Sequence, residues 1–358
     1  MREREKQPGL QCRLSNNLTA TEAPLRPMMI DPRHMHGFGL AVQVNGRSSK
    51  LLLDTGASGL LINTKLAQRA GIQPVVSTKF GGIGDKGQMS GYVGYADSIK
   101  IGDLEFQHCL VEVSDKRAIL DEDGVVGTDV FSHYLVVIDF LWQKLKLEEL
   151  PGRPGQKPAP ATLASSKEDG GDPVSTKDEK DNPEDKASPS DAGKGADPAK
   201  AVNADGPTAT SLGPQDRYIA PEMQNYTRIF RFGHLLLIPT RVADAPSKLF
   251  LIDTGAMMNS ISPEAAREVT KVHDNDNMHV RGISGSVKQV YSADKAVLQF
   301  SHFRQENQDL TSFDLSSLSR SAGTEISGIL GFTTLRLFTV KIDYRDGLVD
   351  FVYIGPKQ

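Results

Sequence analysis

The stretch Leu51-Leu52-Leu53-Asp54-Thr55-Gly56-Ala57-Ser58 decides how the chain is read, because the chain contains it almost twice. The second copy is Phe250-Leu251-Ile252-Asp253-Thr254-Gly255-Ala256-Met257. In each copy an apolar run, the pattern of a buried strand, ends in Asp-Thr-Gly-Ala. The glycine lets the backbone turn sharply at the strand end. One aspartate held at the edge of a core is ordinary. Two of them, at matching points of two similar halves, suggest carboxylates that face each other across a pseudo-twofold axis.

Three further landmarks recur in the same order. Gly81-Gly82-Ile83-Gly84 follows the first aspartate, and Arg281-Gly282-Ile283-Ser284-Gly285 follows the second at nearly the same distance. Gly124-Val125-Val126-Gly127 is matched by Gly328-Ile329-Leu330-Gly331, and Val137 to Phe140 by Val340 to Tyr344. Together these residues resemble the aspartic proteases of the retropepsin/pepsin-like superfamily, whose hallmark is Asp-Thr/Ser-Gly supplied once by each lobe or subunit. The form is similar to bacterial-type single chains with two retropepsin-like lobes. The resemblance implies an all-β fold: two closed-barrel lobes related by a pseudo-twofold axis, with few short helices.

It also implies the roles. Asp54 and Asp253 are the expected catalytic dyad. Thr55, Gly56, Ala57, Thr254, Gly255 and Ala256 support the two loops, with the threonine hydroxyls bracing one loop against the other. Gly82, Ile83 and Gly84 form one flap, and Gly282, Ile283 and Ser284 form its counterpart. A tip that closes over an extended peptide needs small residues, because backbone must approach backbone. Gly127 and Gly331 permit close approach to the dyad loops. Two carboxylates in contact cannot both ionise easily, so they share a proton. The expected reaction is hydrolysis of a peptide bond by a water activated between them, without cofactor or metal. Neither aspartate is assigned as acid or base. Ala57 and Ala256 stand where many pepsin-like enzymes carry a hydroxyl. The dyad therefore lacks two donors to its charged form and should titrate higher. The sequence departs from the retroviral pattern in one respect. No arginine follows Gly127 or Gly331, and the first lobe reads instead Gly127-Thr128-Asp129-Val130-Phe131.

The 358 residues allow about two domains. A net charge of −4 gives no electrostatic reason to expect nucleic acid or an anionic membrane as partner. No run reaches the roughly 18 apolar residues of a membrane span. Residues 1–36 read as a polar tail, and residues 1–26 lack the apolar core of a signal peptide. As it stands the chain reads as cytoplasmic, and as periplasmic or secreted if the true start lies upstream. Arg33-His34-Met35-His36 has no third ligand at useful spacing and reads as a polar loop. Asp121-Glu122-Asp123 reads as a solvated loop. The 2 cysteines make no disulfide framework, and Cys109, in an apolar run, reads as a buried inert thiol.

Residues 37–150 form the expected first lobe. Within it Asn45-Gly46 is a hairpin signal, and Thr64 to Ala70 is a short helix capped by Asn63 or Thr64 and ended by Gly71. Residues 151–216 hold 10 of the chain's 20 prolines and no aromatic residue. Such a composition buries too little apolar surface to offset ordering entropy, so a long disordered linker is expected. Residues 217–358 form the second lobe, in which Ser262-Pro263 opens a short helix. The expected partner is a peptide or protein substrate, bound by a monomer whose lobes pair within the chain. Two other readings keep the same fold. One is a catalytically silent peptide-binding module, and the other an assembly protein whose lobes pair between chains.

Overall fold

Apolar residues alternate in short runs bounded by glycine, and burial follows the alternation. In Lys144–Glu149, for example, Leu145 and Leu147 are buried while Lys144 and Lys146 are half-buried. The computed structural model describes residues 12–16, 18–114, 123–155 and 217–355. The chain divides into two units, residues 1–166 with 218–358, and residues 167–217. Every described residue except Arg217 belongs to the first.

The first half supplies β1 (Arg13–Leu14), β2 (Thr21–Asp31), β3 (His34–Val44), β4 (Arg47–Asp54), β5 (Leu60–Asn63), β6 (Val76–Phe80), β7 (Met89–Ile101), β8 (Leu104–Ser114), β9 (Gly124–Gly127), β10 (Tyr134–Asp139) and β11 (Lys144–Glu149). The second supplies β12 (Thr227–Arg228), β13 (Phe230–Phe232), β14 (Leu235–Val242), β15 (Lys248–Ile252), β16 (Ser260–Ile261), β17 (Val272–Asp274), β18 (Arg281–Gly282), β19 (Gly285–Ser286), β20 (Tyr291–Phe300), β21 (Phe303–Ser312), β22 (Gly328–Leu330), β23 (Phe338–Asp343) and β24 (Leu348–Tyr353). The helices are short: α1 (Thr64–Arg69), α2 (Pro263–Arg267), α3 (Ser316–Ala322) and α4 (Phe332–Leu335).

The strands close into two rings of identical topology. The first runs β3-β4-β9-β5-β8-β7 and returns to β3. The second runs β14-β15-β22-β16-β21-β20 and returns to β14. Even the directions agree. The strand that leads to each aspartate pairs in parallel with the valine/isoleucine-glycine strand, β4 with β9 and β15 with β22. The next contact is antiparallel in both, and the one after is parallel in both. The fold is all-β and retropepsin-like.

Between the rings lies a shared sheet, β12-β24-β23-β10-β11-β2. At its centre Leu135 pairs with Asp343 and Asp139 with Thr339, about the Val137–Lys341 pair. That register maps onto itself when the halves are exchanged, so the pseudo-twofold passes through the Val137–Lys341 pair. Phe38, Phe140 and Phe332 cross this boundary with ring centroids 5.6, 5.8 and 5.9 Å apart.

Local signals behave as their chemistry dictates. Asn45 and Gly46 turn with φ of 47° and 73°, as a two-residue turn between β3 and β4 requires. Asn63 caps α1 by accepting from the Leu66 amide at 2.8 Å, and Ser262 caps α2 by accepting from Ala265 at 3.2 Å.

Other expectations fail for identifiable reasons. Cys12 and Cys109 form a disulfide, so neither is a free thiol. β1 pairs with β8, Arg13 opposite Gln107, and so carries Cys12 to Cys109. Two cysteines 97 residues apart give no sequence clue to that pairing. Residues 13–36, read as part of a tail, supply β1, β2 and the start of β3. Pro24 and Pro27 disguise β2, because proline removes ladder donors. The linker expected over 151–216 lies outside the described residues from 156 onward. Its first residues are anchored: the Pro151 carbonyl accepts from Arg345 at 2.7 Å, and Arg153 pairs with Asp346. Tyr218 donates its amide to the same Asp346 oxygen at 3.2 Å, so residues on either side of 154–217 meet at one carboxylate. Asp121 and Glu122 lie outside the described residues. Asp123 is described, and it accepts from Arg69 at 3.0 Å.

Candidate active site

β4 ends at Asp54 and β15 one residue before Asp253, and the loops after them lock together. The Thr55 amide donates to Thr254 Oγ1 at 3.1 Å, and the Thr254 amide to Thr55 Oγ1 at 3.0 Å. Each hydroxyl then donates across the boundary, Thr55 to the Ile252 carbonyl at 2.7 Å and Thr254 to the Leu53 carbonyl at 2.9 Å. All four groups are satisfied in a buried site, where an unpaired one would cost about 1–3 kcal/mol.

This grip brings the two aspartates into contact. A Cβ on Gly56 would lie 2.7 Å from Asp253 Cγ, and one on Gly255 would strike the Asp54 carboxyl. Only glycine fits either position. The carboxyls hydrogen-bond each other, and their proton affinities follow. Burial, then the negative charge of Asp253, holds Asp54 well above the usual carboxylate range. Burial also raises Asp253, opposed by the bond from Asp54 and by two amides. Those amides, Gly255 and Ala256, both donate to Asp253 Oδ1 at 2.9 Å. Asp54 Oδ1 accepts from Gly56 at 2.7 Å.

The glycines expected beside the dyad are packed against its loops. A Cβ at Gly127 would strike the Ala57 carbonyl, and one at Gly331 the Met258 backbone and the Ala256 carbonyl. The place left without an arginine is held differently in each lobe. Asp129 accepts from the Gly59 amide at 2.9 Å and from Ser58 Oγ at 3.1 Å. Asn259 accepts from the Gly331 amide at 2.9 Å. Thr128 Oγ1 and the buried Tyr344 hydroxyl share a short hydrogen bond between the halves. Asp129, Asn259 and Tyr344 were not singled out from sequence. The first stands two residues after Gly127, and that spacing was the available signal.

The two glycine-rich loops meet. The Gly82 amide donates to Ser284 Oγ at 3.1 Å, Ser284 to the Ile83 carbonyl at 2.9 Å, and Lys86 to the Ser284 carbonyl at 2.9 Å. A side chain at Gly84 or Gly282 would collide with the opposite loop. Each tip crosses to the other lobe. Ile283 packs against the Leu61–Phe80–Val125 cluster, and Ile83 packs against the cluster of the second half that contains Leu235, Leu237, Leu251 and Ile329.

One residue was passed over entirely. His234, half-buried in the turn between β13 and β14, makes a hydrogen-bond contact with the Gly56 backbone. Burial depresses its proton affinity, against the pull of Asp129, the Gly56 carbonyl and Asp253. Among the described residues no cluster of His, Cys, Asp or Glu is arranged to hold a metal ion.

Residues 40–133 match the family model of the gag-polyprotein putative aspartyl protease. The matched segment is an aspartic protease-like domain running from β3 to just beyond β9, so it contains Asp54, Gly82 to Gly84 and Gly127. The chain is also 30% identical over 121 residues to DNA damage-inducible protein 1 of Neurospora crassa, covering 33% of this chain and 27% of that protein. It is 29% identical over 128 residues to UBA domain-containing protein Mud1 of Schizosaccharomyces pombe, covering 35% and 37%. A third relative, DNA damage-inducible protein 1 of Chaetomium globosum, is 30% identical over 116 residues, covering 32% and 25%. The chain thus spans between a quarter and somewhat over a third of the length of these relatives.

Proposed function

We propose that this chain is an aspartic endopeptidase in which one polypeptide supplies both lobes of the site and Asp54 and Asp253 act as one catalytic unit. The observation that carries this reading is the reciprocal lock of the two Asp-Thr-Gly loops, which holds the half-buried Asp54 carboxyl and the buried Asp253 carboxyl in mutual hydrogen bond. Such a pair keeps one proton where a lone carboxyl would lose it. The ionised member takes a proton from a bound water, whose oxygen bonds to the scissile carbonyl carbon. The protonated member gives its proton to the carbonyl oxygen. On collapse the carbon–nitrogen bond breaks, the nitrogen leaves with the proton taken from water, and the other carboxyl regains its own. Gly82 to Gly84 and Gly282 to Ser284 serve as flaps, and an extended peptide takes up strand-like hydrogen bonds beneath them.

The test is digestion of a mixed peptide library by the wild type, Asp54→Asn, Asp253→Asn and the double variant. Each single change is expected to abolish cleavage, with at least a thousandfold loss, and the double variant to be no worse than either, because groups that act as a unit are not additive. Near-normal turnover in one single variant would refute the shared dyad. Peptide capture without turnover by the wild type would instead mark a binding module.

A further inference from the structure

We propose that the boundary between the halves carries a recognition code that admits the first half only to the second and rejects pairing of like with like. Its elements are Thr128–Tyr344, Val137–Lys341, Gly84–Ser284 and Arg153–Asp346. The inference rests on the fold and not on catalysis, so it goes beyond the endopeptidase reading.

The pseudo-twofold gives each boundary residue a counterpart. Gly127 matches Gly331 and Asp139 matches Asp343, so Thr128 answers to Phe332 and Phe140 to Tyr344. One contact therefore occurs twice, with different chemistry. Phe140 meets Phe332 edge to face, with ring centroids 5.9 Å apart. At the exchanged place the Tyr344 hydroxyl bonds Thr128 Oγ1. All four side chains are buried. Two first halves would set Phe140 against Thr128, and two second halves would set Tyr344 against Phe332. Either pairing strands a buried hydroxyl, and does so twice. Each stranded hydroxyl disfavours pairing by roughly tenfold or more.

The axis itself passes through Val137 and Lys341. Here Lys341 faces a buried valine and pairs within its own half with Asp350 at 3.5 Å. Two second halves would place Lys341 opposite Lys341, and like charges directly opposite are destabilising. The glycine-rich loops add shape. Gly84 and Ser284 are counterparts, and a Cβ at Gly84 would strike the Gly285 carbonyl and the Ser284 backbone. Two second halves would put a serine at that place.

The last element is an ion pair. The turns that begin at Asp139 and Asp343 are built alike, each carboxylate accepting the amide three residues on, at 3.0 and 2.9 Å. Yet Asp346 is buried and holds Arg153 of the first half, whereas Trp142 at the matching place is 71% exposed. Two second halves would leave Asp346 without that arginine. Two first halves would offer Arg153 a tryptophan in place of a carboxylate.

The experiment uses the full chain with one site for a sequence-specific protease placed within residues 156–210. After folding, that stretch is cut, the protein is unfolded in urea and refolded by dilution, and native mass spectrometry reads which halves are joined. Wild type is expected to return first-with-second pairs, with like pairs at or below about a tenth of them. A random mixture would overturn the proposal. The triple variant Ser284→Gly, Lys341→Val, Tyr344→Phe gives the second half the first half's residues. It should raise pairs of second halves by about tenfold or more, and an unchanged ratio would overturn the code.

The uncut chain supplies a second measurement, urea unfolding of Thr128→Val, Tyr344→Phe and the double variant. Hydroxyls that serve each other lose their effect together, so the double variant is expected to be no less stable than the worse single one. Additive losses would overturn the proposal, whatever the cut halves do. Neither readout uses cleavage. A wild type that digests no peptide would refute the endopeptidase reading and leave this one standing.

Discussion

Asp54 and Asp253 are one residue type in one motif, placed in two surroundings, and the difference lies in single atoms. Both sit in Asp-Thr-Gly-Ala, yet Ala256 donates its amide to Asp253 while the amide bonded to Asp54 Oδ1 comes from Gly56. No residue code distinguishes those loops, so the sequence does not predict which amides each carboxyl accepts. The missing hydroxyls at Ala57 and Ala256 were legible. They bear on the high proton affinity of Asp54, whose leading cause is burial, followed by the charge of its partner. Ala57→Ser would put a donor beside Asp54. A donor favours the charged form, so the proton leaves more readily and the alkaline limb of kcat/KM should move down, by up to about one pH unit for one hydrogen bond to a charged group. The pH profiles of wild type and variant check this, and an upward shift would contradict it.

Among the elements, the legible ones announced themselves by local chemistry. Asn45-Gly46 makes its turn with both residues at positive φ. Asn63 and Ser262 cap their helices because their side chains can replace missing backbone acceptors. The element missed was β1, only Arg13 and Leu14, whose place depends on β8 and on Cys109 far away in the chain. Leu14 is buried, so the strand belongs to the core despite its polar neighbourhood. The Cys12–Cys109 bond ties a loop of 97 residues in the unfolded chain. On the chain-entropy account a loop of that size is worth about 4–5 kcal/mol, and engineered bonds often deliver less. Cys109→Ser is therefore expected to lower the free energy of unfolding by about 2–4 kcal/mol in urea titration. Wild type with reductant should match the variant. Equal stability of wild type with and without reductant would show that the bond carries no weight.

At the scale of the whole molecule, the two rings share the sheet β12-β24-β23-β10-β11-β2, and the centre of that sheet is a self-matching register between halves. Pairing of lobes within one chain was expected from the recurrence of landmarks. What sequence could not supply was the clamp, because Arg153, Tyr218 and Asp346 carry no pattern. Asp346 Oδ1 holds Arg153 and the Tyr218 amide together, and Arg345 holds the Pro151 carbonyl beside them. The two ends of the intervening stretch are thus fixed by contacts that do not involve it. The composition of residues 151–216, with 10 prolines and no aromatic, offers little apolar surface to bury. Joining the lobes through a shorter connection changes closure entropy only slowly with length, by about 0.6 kcal/mol per doubling. Deletion of residues 156–210 should therefore leave one cooperative thermal transition with its midpoint within a few degrees of wild type. Peptidase activity should stay linear in protein concentration, and the species should be a monomer by light scattering. The shared sheet makes separate melting of the halves unfavourable, since either half alone would expose β10 or β23 as an unpaired edge. Two resolved transitions, or activity rising with the square of concentration, would show instead that the halves pair between chains and that the deleted stretch contributes to holding them.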